Sequence, residues 1–191
     1  MDNVNVSDET LVSEVIDGNT DAYREIVTRY EKKVIGIAYG VVHNEHDAMD
    51  VAQDVFLKVY KSLDKFRGQS KFFTWLYRIT VNMSIDFKRK KARKSTVTYD
   101  GDIKFMNEIP GKSVSPSKKM FITEVYNKLK DAIDLLPEDQ KATLVLREIE
   151  NLSYQEIADV LKCSTGTVMS RLFYARKKLR DMIKPYLSDG F

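Results

Sequence analysis

Cysteine and long apolar runs are nearly absent from this sequence, and each shortage excludes some classes of protein. The 191 residues include a single cysteine, Cys163, so no internal disulfide can form, which fits a reducing cytosol. No apolar run approaches the roughly twenty residues that a membrane span needs. The first residues are acidic and polar, unlike a secretory signal peptide. We therefore expect a cytoplasmic protein with no membrane insertion.

Residues that build catalytic or metal centres are equally scarce. The sequence has no Gly-rich phosphate loop, no Ser-His-acid arrangement and no cysteine-based metal cluster. Its two histidines, His43 and His46, stand near Asp47 and Asp50 at helical spacing, which leaves a metal site open as an alternative. That pattern has little specificity, and a helix that starts near Asn44 would put His43 off the shared face. We predict no cofactor, no metal site and no enzyme activity.

The net charge of +3 conceals an uneven distribution along the chain. Residues 1–50 carry eleven acids and four bases, whereas residues 51–191 carry seventeen acids and twenty-seven bases. An acidic front and a basic remainder indicate two partner surfaces, one suited to a basic protein and one suited to phosphates.

Helical periodicity runs through most of the sequence, and no strand-like alternation lasts long enough to build a sheet. The period predicts helices over residues 20–42, 45–63, about 70–93, 117–136 and 138–150. Residues 95–117 contain two Gly and two Pro without any period, and this stretch is too long for an ordinary connection inside one compact domain. We therefore predict an all-α protein with two small helical domains, residues 1–94 and 118–191, joined by a flexible linker, residues 95–117.

The C-terminal segment, residues 152–184, has the pattern of a helix-turn-helix. Ser153 and Glu156 form a capping-box signature, and Ser164 or Thr165 can cap a second helix after a short turn. Residues 162–184 hold seven Lys or Arg against one Asp. A basic second helix of this kind enters the DNA major groove, although an ordinary pair of packed helices with a solvated basic face stays open. The face that meets the partner is predicted to carry Thr167, Ser170, Arg171, Tyr174 and Lys178.

Residues 65–78 hold five of the chain's twenty aromatics, interleaved with four cations. Aromatic faces stack on unpaired bases and cations follow phosphates, so the pattern indicates a platform for single-stranded nucleic acid. The alternative is that the aromatic positions are core, as we expect for Phe72, Leu76, Ile79 and Met83. A different and more polar face of the same helix is predicted to carry Trp75, Arg78, Asn82 and Asp86. Residues 88–94 add six bases in seven positions, which either follow a nucleic-acid backbone or form a solvated helix end.

Residues 47–60, DAMDVAQDVFLKVY, place carboxylates at helical spacing around apolar positions. Asp50, Gln53, Asp54 and Leu57 can share an outward face. Carboxylates that frame apolar positions suit docking onto a basic partner helix.

Taken in order, three segments closely resemble the group 4, extracytoplasmic-function (ECF) sigma factors of the sigma-70 family. They are DAMDVAQDVFLKVY, FRGQSKFFTWLYRITVNMSIDFKRKKAR and LPEDQKATLVLREIENLSYQEIADVLKCSTGTVMSRLFYARKKL, and the resemblance covers roughly residues 10–187. It implies a sigma-2 domain, a linker and a sigma-4 domain in an alternative sigma subunit of bacterial RNA polymerase. Such a subunit binds core polymerase and directs promoter recognition, DNA melting and transcription initiation, with no catalytic residues of its own.

The resemblance also implies which residues meet each partner. Docking on the β′ coiled coil of core polymerase falls to Asp47, Asp50, Gln53, Asp54, Phe56 and Leu57. Opening and capture of the non-template strand at the promoter −10 element falls to Phe66, Arg67, Lys71, Trp75, Arg78, Asn82, Asp86, Lys88 and Arg89. Reading of the −35 duplex, by a domain that also holds the β flap, falls to Thr165, Thr167, Met169, Ser170, Arg171, Phe173, Tyr174 and Lys178.

A further partner implied by the resemblance is an anti-sigma factor, often membrane-bound, which would hold the protein at the inner face of the membrane until a stress signal releases it. Two other hypotheses stay open. A conventional dimeric regulator would use the helix-turn-helix unaided on duplex DNA. A metal-dependent nucleic-acid enzyme would rest on His43 and His46.

Overall fold

The structure is a computed structural model that describes residues 6–94 and 116–188. Residues 95–115, most of the predicted linker, lie outside these ranges. Within them the chain forms helices and no strand, which confirms the all-α prediction. The elements are α1 (Asp8–Ile16), α2 (Thr20–Val42), α3 (Glu45–Ser62), a 3-10 turn (Leu63–Lys65), α4 (Phe72–Lys94), α5 (Pro116–Asp134), α6 (Glu138–Glu148), α7 (Tyr154–Leu161) and α8 (Thr165–Ser188).

Polar side chains determine where the helices of the first half begin. The Asn19 side chain accepts hydrogen bonds from the first backbone N–H groups of α2, and the Asn44 side chain accepts one from the Asp47 N–H at 3.0 Å. These bonds satisfy donors that have no partner inside a helix. The predicted helix start at Asn44 is therefore confirmed. His43, immediately before it, has a left-handed backbone (φ 58°) and ends α2.

The same local chemistry builds the helix-turn-helix. Ser153 and Glu156 form the predicted capping box at the start of α7. Lys162 then adopts a left-handed conformation (φ 51°) that ends α7 after two turns. Of the two candidate caps for α8, Ser164 is the one used, because its hydroxyl accepts the Thr167 backbone N–H at 3.1 Å.

Helices α1–α4 pack around α2 and form the first bundle. Its core includes Ile26, Val34 and Ile37, all fully buried. Helix α1, which the sequence pattern did not predict, packs Leu11 and Val12 into this core. The Asp8 carboxylate ties α1 to α2 by accepting hydrogen bonds from Arg29 at 2.7 Å and from the Tyr30 hydroxyl.

Helices α5–α8 pack around α8 and form the second bundle. An apolar stripe of α8 is buried at Val168, Leu172 and Ala175, and Leu179 packs against the core at its far end. This stripe packs α8 into the second bundle, against α7 of the helix-turn-helix. The opposite side of α8 therefore faces outward.

The two bundles pack against each other, mainly through α2 against α6 and α4 against α7. Gly40 allows the closest approach. A Cβ atom at this position would lie 2.5 and 2.9 Å from the two Cγ atoms of Val145 on α6. The Tyr77 hydroxyl also crosses the interface and donates to Glu150 at 3.1 Å. Across residues 6–94 and 116–188, every helix falls short of the length or the apolar character that a membrane span needs.

Candidate functional site

The first candidate surface is a groove of about 750 Å³ between α2 and α3. Its floor and rim are apolar and aromatic, with Met49, Leu57 and Tyr60 each about half exposed. Asp50 and Gln53 also line it, and both are exposed, as is Asp54. An apolar groove with carboxylates at its edge can accept an amphipathic helix with basic flanks. We call this surface the α2–α3 groove.

Tyr23 closes the floor of the α2–α3 groove and was missed by sequence reasoning. Its hydroxyl donates to the Phe56 carbonyl at 2.5 Å, and its ring contacts Tyr60 edge-on at 4.9 Å. Burial raises the pKa of Tyr23 to about 12, so the hydroxyl stays a donor at neutral pH.

Asp47 is half-buried and accepts a hydrogen bond from Lys91 on α4. It therefore lies apart from the exposed acids with which it was grouped.

The aromatic platform is divided between the core and the surface. Phe72 is fully buried and Leu76 also lies in the core, as predicted, while Ile79 and Met83 are half-buried against it. Trp75 is half-buried, with its ring 5.4 Å from that of Phe66.

Beyond the aromatic cluster, the outer part of the platform is open to solvent. Arg67 and Gly68 lie in the exposed loop before α4, and Gly68 has a positive φ of 67° that favours glycine. Asn82 and Asp86 are exposed farther along the same helix.

Some of the cations of α4 meet acceptors that the second bundle supplies. Arg78 donates to the Asp159 and Val160 carbonyls of α7 at 2.6 and 3.2 Å. Arg89 pairs with Glu138 at 2.7 Å, and Lys71, just before α4, lies 3.6 Å from Glu156. The sequence pattern does not predict these acceptors, because they lie at least forty-nine positions from their cations along the chain.

Asp134, at the end of α5, is the centre of a polar network between the bundles. Its carboxylate meets His43 Nδ1 at 2.6 Å and Lys88 Nζ at 3.2 Å from the first bundle. It also meets Lys141 Nζ from α6 at 3.0 Å. Burial acts to raise the pKa of Asp134, but the hydrogen bonds from His43 and Lys141 outweigh it and hold the pKa well below its usual range. The carboxylate is therefore charged at neutral pH.

Lys141 is the buried member of this network, with only 1% of its side chain exposed. Burial and the neighbouring Lys88 ammonium lower the pKa of Lys141 to about 8, although Asp134 acts in the opposite direction. A buried ammonium requires a counter-charge, and Asp134 provides it.

The outward side of α8 is the second exposed surface. Met169, Phe173 and Tyr174 are each more than half exposed, and the last two rings contact each other edge-on at 5.4 Å. Among the other residues predicted to face a partner, Ser170 and Lys178 are exposed, and Thr165, Thr167 and Arg171 are half-exposed. Arg171 is held by Asp139 of α6 at 2.5 Å, and Lys178 donates to the Leu135 carbonyl at 2.7 Å.

The histidines and the cysteine do not form a metal centre in the described ranges, where no cluster of three or more His, Cys, Asp or Glu could hold a metal ion. His43 binds Asp134, whereas His46 is exposed. Cys163 is half-buried in the turn between α7 and α8, where Arg171 donates to its sulfur at 3.8 Å.

Comparison with known proteins divides the chain into two parts, as the two bundles of the structure do. The family model for sigma-70 region 2 matches residues 26–94, and the model for sigma-70 region 4 matches residues 126–179. These residues form most of the first and second bundles.

Relatives match almost the whole length. The chain is 38% identical to the RNA polymerase sigma-H factor of Pseudomonas aeruginosa, over 96% of this chain and 97% of that protein. It is 36% identical to the ECF RNA polymerase sigma-E factor of Haemophilus influenzae, over 95% of this chain and 98% of that protein.

Solved structures share the fold. The structure of CnrH in complex with the cytosolic domain of CnrY is similar with a TM-score of 0.67, 25% identity and coverage of 93% of this chain and 97% of that one. The sigma factor RpoE of Bartonella quintana, in complex with the anti-sigma factor NepR, is similar with a TM-score of 0.66, 22% identity and coverage of 85% and 96%. The chain belongs to the sigma-70 family, in its extracytoplasmic-function group, and is an alternative sigma subunit that directs transcription initiation.

Proposed function

We propose that the chain binds core RNA polymerase through the α2–α3 groove, in the manner implied by the sigma-factor resemblance. The groove combines exposed apolar side chains with the carboxylate of Asp50, and Asp54 is exposed nearby on α3. A basic coiled-coil helix of the polymerase β′ subunit can bury its apolar positions there while its cations meet the rim acids. Asp47, bound to Lys91, would orient α3 against α4 and would not contact polymerase directly.

Two further surfaces would read the promoter. The −10 element would be melted and its non-template strand captured at the platform formed by Phe66, Trp75 and the exposed residues Arg67, Asn82 and Asp86. Half-buried aromatic rings beside a glycine-containing loop suit a base that has left the stack. Cations along α4, such as Lys88 and Arg89, would follow the phosphates.

The −35 duplex would be read by the outward side of α8. The observation that carries this proposal is the exposure of Met169, Phe173 and Tyr174, three large side chains on a helix whose opposite side is buried at Val168, Leu172 and Ala175. Large exposed apolar side chains signal a partner surface, and thymine methyl groups offer apolar contacts in the major groove. Phosphate contacts by Lys178 and Arg180 would fix the position of the helix on the duplex.

An anti-sigma factor would regulate this activity. The CnrH structure, which is 25% identical over most of the chain, holds the cytosolic domain of a second protein. A corresponding partner would keep the present chain in the cytoplasm, at the inner face of the membrane where that partner is membrane-bound. The chain itself would contribute no catalytic residue and would need no cofactor, since core polymerase performs the chemistry.

Run-off transcription tests this function. Core bacterial RNA polymerase is combined with a pool of promoter-containing DNA, with and without the protein. We expect discrete transcripts that depend on the protein, and their start sites give the −10 and −35 sequences. Tight polymerase-free binding to duplex DNA, together with no transcript, would favour the conventional dimeric regulator.

A further inference from the structure

The N-terminal half of α8, residues 165–176, is the part of the helix-turn-helix that would meet base edges, because the second helix of this motif contacts bases through its N-terminal residues. Its large exposed side chains are Met169, Phe173 and Tyr174. The other side of the same turns is occupied by the buried stripe. The largest side chains that can reach the bases are therefore apolar or aromatic.

Both arginines of this half of the helix are paired with carboxylates of α6. Arg171 pairs with Asp139 at 2.5 Å and also donates to Cys163 Sγ at 3.8 Å. Arg176 donates to one oxygen of Glu148 through two of its nitrogens, at 2.6 and 3.2 Å. Residues 165–176, all of which the structure describes, contain no lysine. This half of α8 thus presents no unpaired guanidinium or ammonium group.

The positions of the two arginines on the helix explain these contacts. Arg171 immediately precedes the buried Leu172, and only 22% of its side chain is exposed. Arg176 immediately follows the buried Ala175. Both side chains therefore leave α8 at the edges of the buried stripe, where α6 is packed. Arginine or lysine that binds the N7 and O6 acceptors of guanine is the commonest specific contact in the major groove, and these arginines are directed away from it.

Ser170 is the polar residue among the large exposed side chains, and it presents an acceptor. Its hydroxyl donates to the Thr167 carbonyl oxygen at 3.0 Å, so the proton is used within the helix and the oxygen lone pairs stay available. The major-groove donors are the amino groups of adenine and cytosine, whereas guanine presents only acceptors there. Ser170 is therefore suited to adenine or cytosine and unsuited to guanine.

The exposed cations of α8 lie farther along the helix, at Lys177, Lys178 and Arg180. Lys178 is directed towards the Leu135 carbonyl oxygen, 2.7 Å away. When a helix enters the groove by its N-terminal end, positions beyond the base contacts approach the sugar-phosphate backbone. Contacts there fix the helix on the duplex but do not read its sequence.

We propose that α8 reads the −35 element through thymine methyl groups, that Met169, Phe173 and Tyr174 determine this specificity, and that no guanine is read by paired hydrogen bonds. The inference rests on the proposed function, which assigns the −35 duplex to α8, and it names the bases that are selected. The C5 methyl of thymine is unique among the four bases in the major groove. Burial of about two such methyl groups accounts for roughly a tenfold difference in affinity.

Duplexes that lack only these methyl groups test the proposal. Run-off transcription with core polymerase first gives the −35 sequence. A labelled promoter duplex is then made with thymine or with deoxyuridine at every −35 thymine of both strands, since deoxyuridine keeps the hydrogen-bonding groups and loses only the methyl. We expect polymerase that carries the chain to bind the uracil duplex roughly tenfold more weakly in fluorescence anisotropy. Equal affinities, or a −35 element without thymine, would overturn the proposal.

Two further duplexes serve as controls for the modified bases. Deoxyuridine placed only in the flanking sequence should leave the affinity unchanged, and a loss as large as that from the −35 element would contradict methyl recognition by α8. Replacement of each −35 guanine by 7-deazaguanine, which lacks the N7 acceptor, should also leave the affinity unchanged. A roughly tenfold loss with 7-deazaguanine would show that guanine is read directly and would overturn the second part of the proposal.

Variants of α8 separate methyl recognition from a general loss of DNA binding. Phe173→Ala should reduce the difference between the thymine and uracil duplexes, because it removes surface that the methyl groups contact. Lys178→Ala should weaken binding to both duplexes equally and keep the difference. Circular dichroism checks that each variant is folded. The proposal fails if Phe173→Ala, Met169→Ala and Tyr174→Ala each keep the full difference.

The proposed function and this inference fail in different ways. Absence of any transcript that depends on the chain would reject the promoter role itself. Discrete transcripts together with binding that is insensitive to uracil would leave the promoter role standing and reject the thymine readout alone.

Discussion

Replacement of Asp134 by Asn should destabilise the protein by about 3 kcal/mol at neutral pH, because it leaves the buried Lys141 ammonium without its counter-charge. The Asp134 carboxylate lies 3.0 Å from Lys141 Nζ, and that side chain is 1% exposed. The loss of one partner from a buried ion pair costs roughly 3–5 kcal/mol. We expect the lower end of this range, since Lys141 can lose its proton and so escape part of the penalty.

The pH dependence distinguishes this cause from a general packing defect. The pKa of Lys141 is about 8 in the folded protein, below its usual 10.5. The unfolded chain therefore binds more protons than the folded protein between these values, and stability rises with pH across that window. Loss of the Asp134 charge lowers the pKa of Lys141 further. At about pH 9 Lys141 is mostly neutral in both proteins, so the part of the difference in unfolding free energy that comes from Lys141 disappears there.

Urea unfolding at about pH 6.5 and about pH 9, followed by circular dichroism, measures both effects. Asp139→Asn is the matched control, because Asp139 forms an ion pair with Arg171 but is 64% exposed. A surface pair of this kind contributes under about 1 kcal/mol. Combination of Asp134→Asn with Lys141→Met removes both charges and should recover much of the loss. The reasoning fails if Asp134→Asn costs less than about 1 kcal/mol at the lower pH, or costs the same at both.

Other expectations follow from single contacts. Leu57→Asp should weaken binding to core polymerase at least about tenfold. The protein should keep its stability, since Leu57 is 53% exposed in the groove. Surface plasmon resonance measures the affinity, with Lys58→Asp as the control. Phe173→Ala should reduce −35 duplex binding by about 1–2 kcal/mol in an electrophoretic shift with polymerase present, while the melting temperature stays unchanged. An equal loss on DNA with a scrambled −35 element would contradict this. Ser153→Ala removes the capping box of α7 and should cost about 1 kcal/mol in urea unfolding, against almost nothing for the exposed Gln155→Ala.

The helices were predictable because their signals are local. The bounds of α2 match the predicted 20–42, and α3 differs by a single residue at its end. Asn44, Ser153 and Ser164 all cap helices near the positions where the sequence indicated them. A capping side chain acts on N–H groups two or three positions away, so a short window of sequence contains the whole interaction.

The helix α1 was missed for a related reason. It is nine residues long and has only two buried apolar positions, Leu11 and Val12. An isolated helix of this length is marginal in water, so its own sequence does not determine its formation. Its stability comes from burial on α2 and from the Asp8 carboxylate that meets Arg29 and Tyr30. Those partners are more than twenty positions away and give no local signal.

The environment of the candidate site was only partly predictable. The exposed residues Asp50, Gln53, Asp54 and Leu57 lie together as their helical spacing indicated. The same reasoning could not show that Asp47 meets Lys91, since helical spacing describes one helix and not the neighbour packed against it. The acceptors of Arg78 were hidden for the same reason. They are main-chain carbonyls, which every sequence contains.

The packing of the two bundles is held by contacts that favour specificity over strength. The Arg89–Glu138 pair has one partner 59% exposed, and Lys71 is 71% exposed in its contact with Glu156. Exposed pairs of this kind contribute roughly 0–1 kcal/mol each and are weakened by salt. The close approach at Gly40, by contrast, selects one relative position of the bundles. An interface built in this way fixes the relative position of the bundles through their shape, while its exposed ion pairs add little to its strength.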